Sequence, residues 1–205
     1  GLSAEQTRFV SIDAVNHVVE AATTVAATPY SILLAKETIR LVVKYLPLAE
    51  KDPKDLTARY FLTYASMLGG IAFDNGLLHF THALEHPLSG VKSDVTHGHG
   101  LALLLPAVVK QIYPAKGKVL ADILEPMVPG LTGAADEGKK AADGVRAWLE
   151  KSHVPAGLKT LGFTEADVEK LVNLALTTPS LGLLLSLAPV DSGKAAIETI
   201  YRESL

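Results

Sequence analysis

The sequence predicts an all-α fold, and three observations carry that prediction. Apolar residues recur at helical spacing through almost the whole chain. Helix start signals stand at Ser3, Thr28-Pro29, Asp55 and Thr164. No segment between turns alternates strictly between apolar and polar residues, so no half-buried strand is expected. Of the 205 residues, 48% are hydrophobic and 20% charged, ample for a core and unlike a disordered chain. We read residues 1–205 as a single multi-helix domain of roughly eight to ten helices, given a mean helix length near 11 residues.

The elements follow in order. Ser3 with Gln6 resembles a capping box ahead of a first helix that carries Asp13 and His17. Thr28-Pro29 ends it and starts the next, with proline in the first turn. Ile32, Leu33, Ile39, Leu41, Val42 and Val43 make that second helix apolar and buried. Asp52-Pro53-Lys54-Asp55 is a loop, and a third helix runs from Leu56 to about Asp74. Gly69-Gly70 and Asn75-Gly76 are weak points where it bends or restarts. A fourth helix spans about Leu77 to Leu88, with Pro87 marking a distortion or break. Residues 89–96 read as a loop, and a helix from about His97 to Tyr113 follows. Further helices cover about 117–126, 133–152, 164–176 and 191–203. Ala134–Ala142, rich in alanine, glycine and charge, reads as an exposed helix face.

Several function classes drop out. A net charge of −3 with dispersed lysines leaves no basic stripe for nucleic acid. The absence of cysteine excludes disulfides, thiolate metal sites and a cysteine nucleophile, and is compatible with a cytoplasmic protein. The longest apolar runs, Leu101–Leu105 and Leu181–Pro189, fall short of the about 20 residues a membrane span needs. The first residues do not read as a signal peptide. Gly-x-Gly-x-x-Gly, a Walker-type lysine, His-Glu-x-x-His, a His-Asp dipeptide and paired Glu-x-x-His motifs are all absent.

What remains is histidine chemistry. Five of the seven histidines lie between His79 and His99. His79, His82 and His86 fall at offsets of three and seven, one face of a helix. Such a row is poor core packing, where each imidazole needs a partner, and unusual as a solvated face; the competing reading is a water-exposed cluster that scavenges metal adventitiously. Asp13 and His17 stand at i and i+4, within reach of one ion; the competing reading is a simple carboxylate–imidazole hydrogen bond. His97 opens a helix after a loop, and Gly98 and Gly100 beside it allow close backbone approach. Imidazole plus carboxylate suits a borderline divalent metal, iron or zinc.

These residues also resemble a family. Asp13-Ala-Val-Asn-His17-Val-Val-Glu-Ala is similar to the Asp-Ala-Leu-x-His-Ala-Ile-Glu-Ala segment of the iron-containing alcohol dehydrogenases. His82-Ala-Leu-Glu-His86-Pro-Leu-Ser-Gly resembles their second signature. Asp94-Val-Thr-His97-Gly-His99-Gly, leading through leucines to Pro106, resembles their His-Gly entry into a long helix. The tail from Pro189 to Leu205 is similar to their last helix. The resemblance implies the C-terminal domain of the dehydroquinate synthase-like fold. It implies a metal held by Asp13, His17, His82 and His97, with His86 near substrate and nicotinamide. The His82-to-His97 spacing is one residue longer than the family's, and Thr-His-Gly selects His97 over His99. The resemblance further implies Fe(II), with Zn(II) as the alternative, NAD(P), and a small alcohol or aldehyde substrate. The family's nucleotide-binding domain with its Gly-Gly-Gly-Ser loop is not found in this chain. We therefore expect an N-terminal partner domain to be missing, the chain to be inactive alone, and its uncovered apolar face to favour homo-oligomers. The competing expectations are a zinc glycerol-dehydrogenase-like domain, a metal-dependent hydrolase, and a helical binding module with a vestigial site.

Overall fold

A computed structural model describes all 205 residues. It contains nine α-helices and no strand: α1 (Ala4–Thr23), α2 (Pro29–Lys51), α3 (Leu56–Gly76), α4 (Phe80–Val91), α5 (His97–Ile123), α6 (Gly138–Lys151), α7 (Glu165–Thr177), α8 (Leu181–Ser186) and α9 (Lys194–Glu203). Short 3-10 turns cover Ala135–Glu137 and Leu158–Leu161. No helix is long and apolar enough to cross a membrane.

The start signals work as their chemistry dictates. Ser3 Oγ accepts from the Gln6 amide at 3.1 Å, and Asp55 accepts from the Thr57 and Ala58 amides at 2.9 and 3.0 Å. Thr28 with Ser31 and Thr164 with Asp167 form reciprocal capping boxes. Helices α1, α2 and α3 pack mutually, and α5 carries α1, α4, α6 and α9 on its sides. One hydrophobic cluster of 55 buried residues runs from Phe9 in α1 to Tyr201 in α9.

The structure corrects several local expectations. Helix α3 runs unbroken through Gly69-Gly70 to Gly76. There the glycine serves contact, since a Cβ at Gly76 would lie 2.4 Å from the Ala21 carbonyl oxygen of α1. Helix α4 starts at Phe80 rather than Leu77, because Leu77 turns the chain at φ 63°. It then continues through Pro87 to Val91. Pro87 lacks the N–H that would reach the Ala83 carbonyl; at the next carbonyl, Leu84 O accepts from the Tyr201 hydroxyl at 2.7 Å. Helix α5 passes both Pro106 and Pro114, and the break expected after Tyr113 is a kink at Lys116 (φ −126°, ψ 17°). Helix α8 lies in an apolar run that carried no helix prediction. Gly138, Ala141 and Ala142 are buried in α6, which packs on α5, so the stretch read as an exposed face is only half exposed. In α2, Leu33 is 63% exposed, the outer side of a helix expected to be buried.

Candidate metal centre

Helix α1 carries Asp13 and His17 one turn apart, both half-buried. His82 enters from the first turn of α4, and His97 is the first residue of α5. Asp13 Oδ1 lies 3.5 Å from His82 Nε2 and 3.4 Å from His17 Nε2. Ligand atoms of Asp13, His82 and His97 all fall within 4.8 Å of one another. His17 stands outside that triad; its ring stacks on His82 at 4.8 Å and on Phe73 at 5.4 Å. The structure therefore gathers all four residues named from sequence into one cluster, with His17 on its edge.

Two atoms at its centre lack any hydrogen bond although both are buried: Asp13 Oδ1 and His82 Nε2. A bare acceptor and an imidazole nitrogen facing each other inside a protein are costly unless something joins them. A divalent ion does so: bonds of about 2.1 Å at tetrahedral angles place neighbouring donors about 3.4 Å apart. The donor set, two or three imidazoles with one carboxylate, suits iron or zinc.

Behind the imidazoles lie two residues to which the sequence reading gave no role. His82 Nδ1 is paired with Glu20 Oε2, and His97 Nδ1 with Glu85 Oε2. Both glutamate side chains are fully buried. Glu20 Oε1 also accepts from the backbone amides of His79 at 3.0 Å and Thr81 at 2.7 Å, capping α4 from outside that helix. Glu85 accepts from the Ser89 hydroxyl. It fits against α5 only because position 100 is glycine, where a Cβ would come within 2.8 Å of Glu85 Cγ. The sequence signal for Glu20 was a lone carboxylate in an apolar run, Val18-Val19-Glu20-Ala21-Ala22, and for Glu85 a lone carboxylate between His82-Ala83-Leu84 and His86. A buried carboxylate needs a partner, so such a residue marks one.

Electrostatics within the cluster follow from burial set against opposite charge. Burial opposes ionisation of Glu20, yet the His82 charge and the converging hydrogen bonds hold its carboxyl well below the usual range. Burial likewise opposes a charged His82, but Glu20 and Asp13 on either side outweigh it and raise its pKa. Asp13 is lowered despite burial by His82, His17 and His97. His17 is lowered, chiefly by burial.

The other histidines separate. His86 is exposed at the rim, its ring 5.8 Å from that of His97. His79 does not share the helical face of His82 and His86, because Glu20 captures the amides of His79 and Thr81 and α4 begins after His79. It is fully buried, with Nε2 2.9 Å from Thr23 Oγ1. That hydroxyl already donates to the Val19 carbonyl at 2.7 Å, so it accepts from His79. Burial drives the His79 pKa down to about 4. His99 stacks on Phe9 at 4.6 Å, away from the cluster.

Comparison with known proteins agrees with the motifs. The pattern described as "Fe-containing alcohol dehydrogenase family, C-terminal" matches residues 8–205. The long-chain primary alcohol dehydrogenase AdhA of Thermoanaerobacter ethanolicus is 57% identical over 203 residues, 99% of this chain and 51% of that protein. The 1,3-propanediol dehydrogenase of Klebsiella pneumoniae is 35% identical over 178 residues, 86% of this chain and 46% of that protein. Among solved structures, a 1,3-propanediol oxidoreductase superposes with TM-score 0.89 at 31% identity, covering 100% of this chain and 53% of the other. The chain thus spans about half the length of the relatives it matches. The residue motifs, the helical fold and these matches agree: the chain belongs to the iron-containing alcohol dehydrogenase family and corresponds to its C-terminal domain.

Proposed function

We propose that this chain is the metal-binding half of an NAD(P)-linked alcohol and aldehyde oxidoreductase, with Asp13, His17, His82 and His97 as the metal ligands. One observation carries the reading: Asp13 Oδ1 and His82 Nε2 are buried, unbonded and 3.5 Å apart, with the His97 ligand atom within 4.8 Å of both. Fe(II) is the expected ion by family, and Zn(II) fits the same donors. The chemistry such an ion supplies is Lewis-acid polarisation, which makes an alcohol hydroxyl more acidic.

The chain's own residues do the rest. Asp13 brings the negative charge that draws in a cation. His82 presents Nε2 to Asp13 while Glu20 engages its Nδ1, and Glu85 engages Nδ1 of His97, which leaves Nε2 as that ring's available donor. Phe73, 39% exposed and stacked on His17, adds an apolar surface beside that ring. His86 stands on the open rim, where it can take a proton from substrate or touch the nicotinamide. Hydride transfer itself belongs to the nicotinamide, and its binding site belongs to a nucleotide-binding part that we place outside these residues.

Cobalt(II) titration of the metal-free chain, followed by visible absorption, tests the ligand set. One tight site is expected, with affinity falling at least 10-fold in Asp13→Asn and further in His82→Ala. Equal affinity in wild type and both variants overturns the assignment.

A further inference from the structure

The two buried glutamates behind the imidazoles have a role that reaches past structural support. His82 has Nε2 toward Asp13 and Nδ1 toward Glu20, and His97 has Nδ1 against Glu85. Which nitrogen carries the proton decides whether the other can ligate. We infer that Glu20 and Glu85 are positioning residues that keep the proton of His82 and of His97 on Nδ1, leaving each Nε2 free for a metal, and that Glu20 does so in a fixed orientation because α4's own amides hold it. This rests on the metal-centre reading above.

The geometry at Glu20 makes the case. Its Oε1 is committed to the His79 and Thr81 amides at 3.0 and 2.7 Å, with the His82 amide at 3.4 Å. Three converging donors from a helix N-terminus want a full acceptor there. The other oxygen, Oε2, is therefore aimed at His82 Nδ1 by the backbone and not by the imidazole. An acceptor at that point requires a proton on Nδ1. The Nε2 of the same ring faces Asp13 Oδ1 and forms no hydrogen bond. Glu85 repeats the arrangement on α5's side. The Ser89 hydroxyl and the close approach at Gly100 hold it, and it accepts from His97 Nδ1. One carboxylate thus links α1 to both the start of α4 and its ligand, and the second links α4 to the ligand of α5.

The amide variant separates this role from simple packing. In Glu20→Gln the amide oxygen stays on the three backbone N–H groups, because the rotated amide would set NH₂ against them. The NH₂ then faces His82 Nδ1, two donors meet, and the proton moves to Nε2, where it donates to Asp13. The helix cap survives while the ligand nitrogen is blocked. Imidazole ¹⁵N spectra of the metal-free chain read the proton position directly. In alkaline solution, where each ring carries a single proton, wild type is expected to show that proton on Nδ1 of His82 and of His97, with Nε2 bare. Glu20→Gln should show Nδ1 of His82 bare, with unchanged far-ultraviolet circular dichroism and cobalt(II) affinity weaker by about 10–100-fold. A bare Nδ1 in wild type, or a Glu20→Gln variant that keeps the Nδ1 proton or wild-type affinity, overturns the inference. Should Glu20→Gln not fold, the wild-type spectrum still decides it. If wild type binds no cobalt(II), the metal-centre reading fails, while the proton positions still test the role of the glutamates.

Discussion

His79 shows at the scale of one residue how a histidine can serve the fold while its neighbours serve a site. It is buried, neutral and bonded to Thr23, with its pKa lowered by burial to about 4. In the unfolded chain it titrates near 6.5. The unfolded state therefore binds a proton first as pH falls. The stability His79 contributes is fully present above about 6.5 and is lost as pH falls toward 4, on the order of 3 kcal/mol in all. His17, His86 and His99 shift in the same direction and add to the loss. His79→Gln should flatten the acid limb of a urea-unfolding series between about pH 6.5 and 4 by up to one proton; an unchanged limb contradicts a neutral buried imidazole. Much at this scale was legible from sequence. The family resemblance singled out Asp13, His17, His82 and His97, and the structure brings the four together, with His17 at the edge. Glu20 stayed hidden because its partners lie some sixty residues away, and capping signals are read locally. The offset of three between His79 and His82 suggested a shared face, but the contact with Glu20 moved the helix start past His79.

Among the elements, α1 and α5 decide where the donors stand, and two glycines decide how closely they meet their neighbours. Gly76 of α3 touches the backbone at Ala21, and Gly98 of α5 touches it at Phe9, where a Cβ would lie 2.3 Å from the carbonyl oxygen. Alanine at either position must push a helix away, at a cost of about 1–3 kcal/mol or more. Gly70 lies on the same α3 with open space around its Cα. Alanine there should instead stabilise by about 0.5–1 kcal/mol. Urea midpoints of Gly76→Ala, Gly98→Ala and Gly70→Ala check this together, and a destabilised Gly70→Ala with an unaffected Gly76→Ala would reverse the argument. Sequence reading found the helix starts because caps are local chemistry, as at Thr28, Asp55 and Thr164. It misjudged continuations, because tertiary packing can carry a helix through Pro87 or past Gly69-Gly70 where propensity alone would stop it.

For the molecule as a whole, the exposed surface is as telling as the core. Leu56, Tyr60, Tyr64 and Met67 form an exposed stripe along α3, at 82%, 65%, 37% and 52%. Patches of that kind mark contact surfaces on soluble proteins. Together with the half-length match to its relatives, the stripe supports the proposed pairing of this chain with a nucleotide-binding part. The expected outcome is no alcohol-dependent reduction of NAD(P) by the metal-loaded chain alone, and turnover once that part is supplied, followed at the absorbance of the reduced nicotinamide. Turnover by the chain alone would refute the division of labour. The pair of glycine contacts has one more consequence. They grip α1 at Phe9 and Ala21, twelve residues or roughly 18 Å apart. Asp13, His17 and Glu20 all lie between the two grips. The helix is held like a shaft seated in two bearings, free neither to slide nor to tilt. Its polar groups keep their height along the axis by main-chain contact, independent of how loosely the surrounding side chains pack. Softening the interior elsewhere should therefore lower the melting temperature and leave the preference among ions untouched.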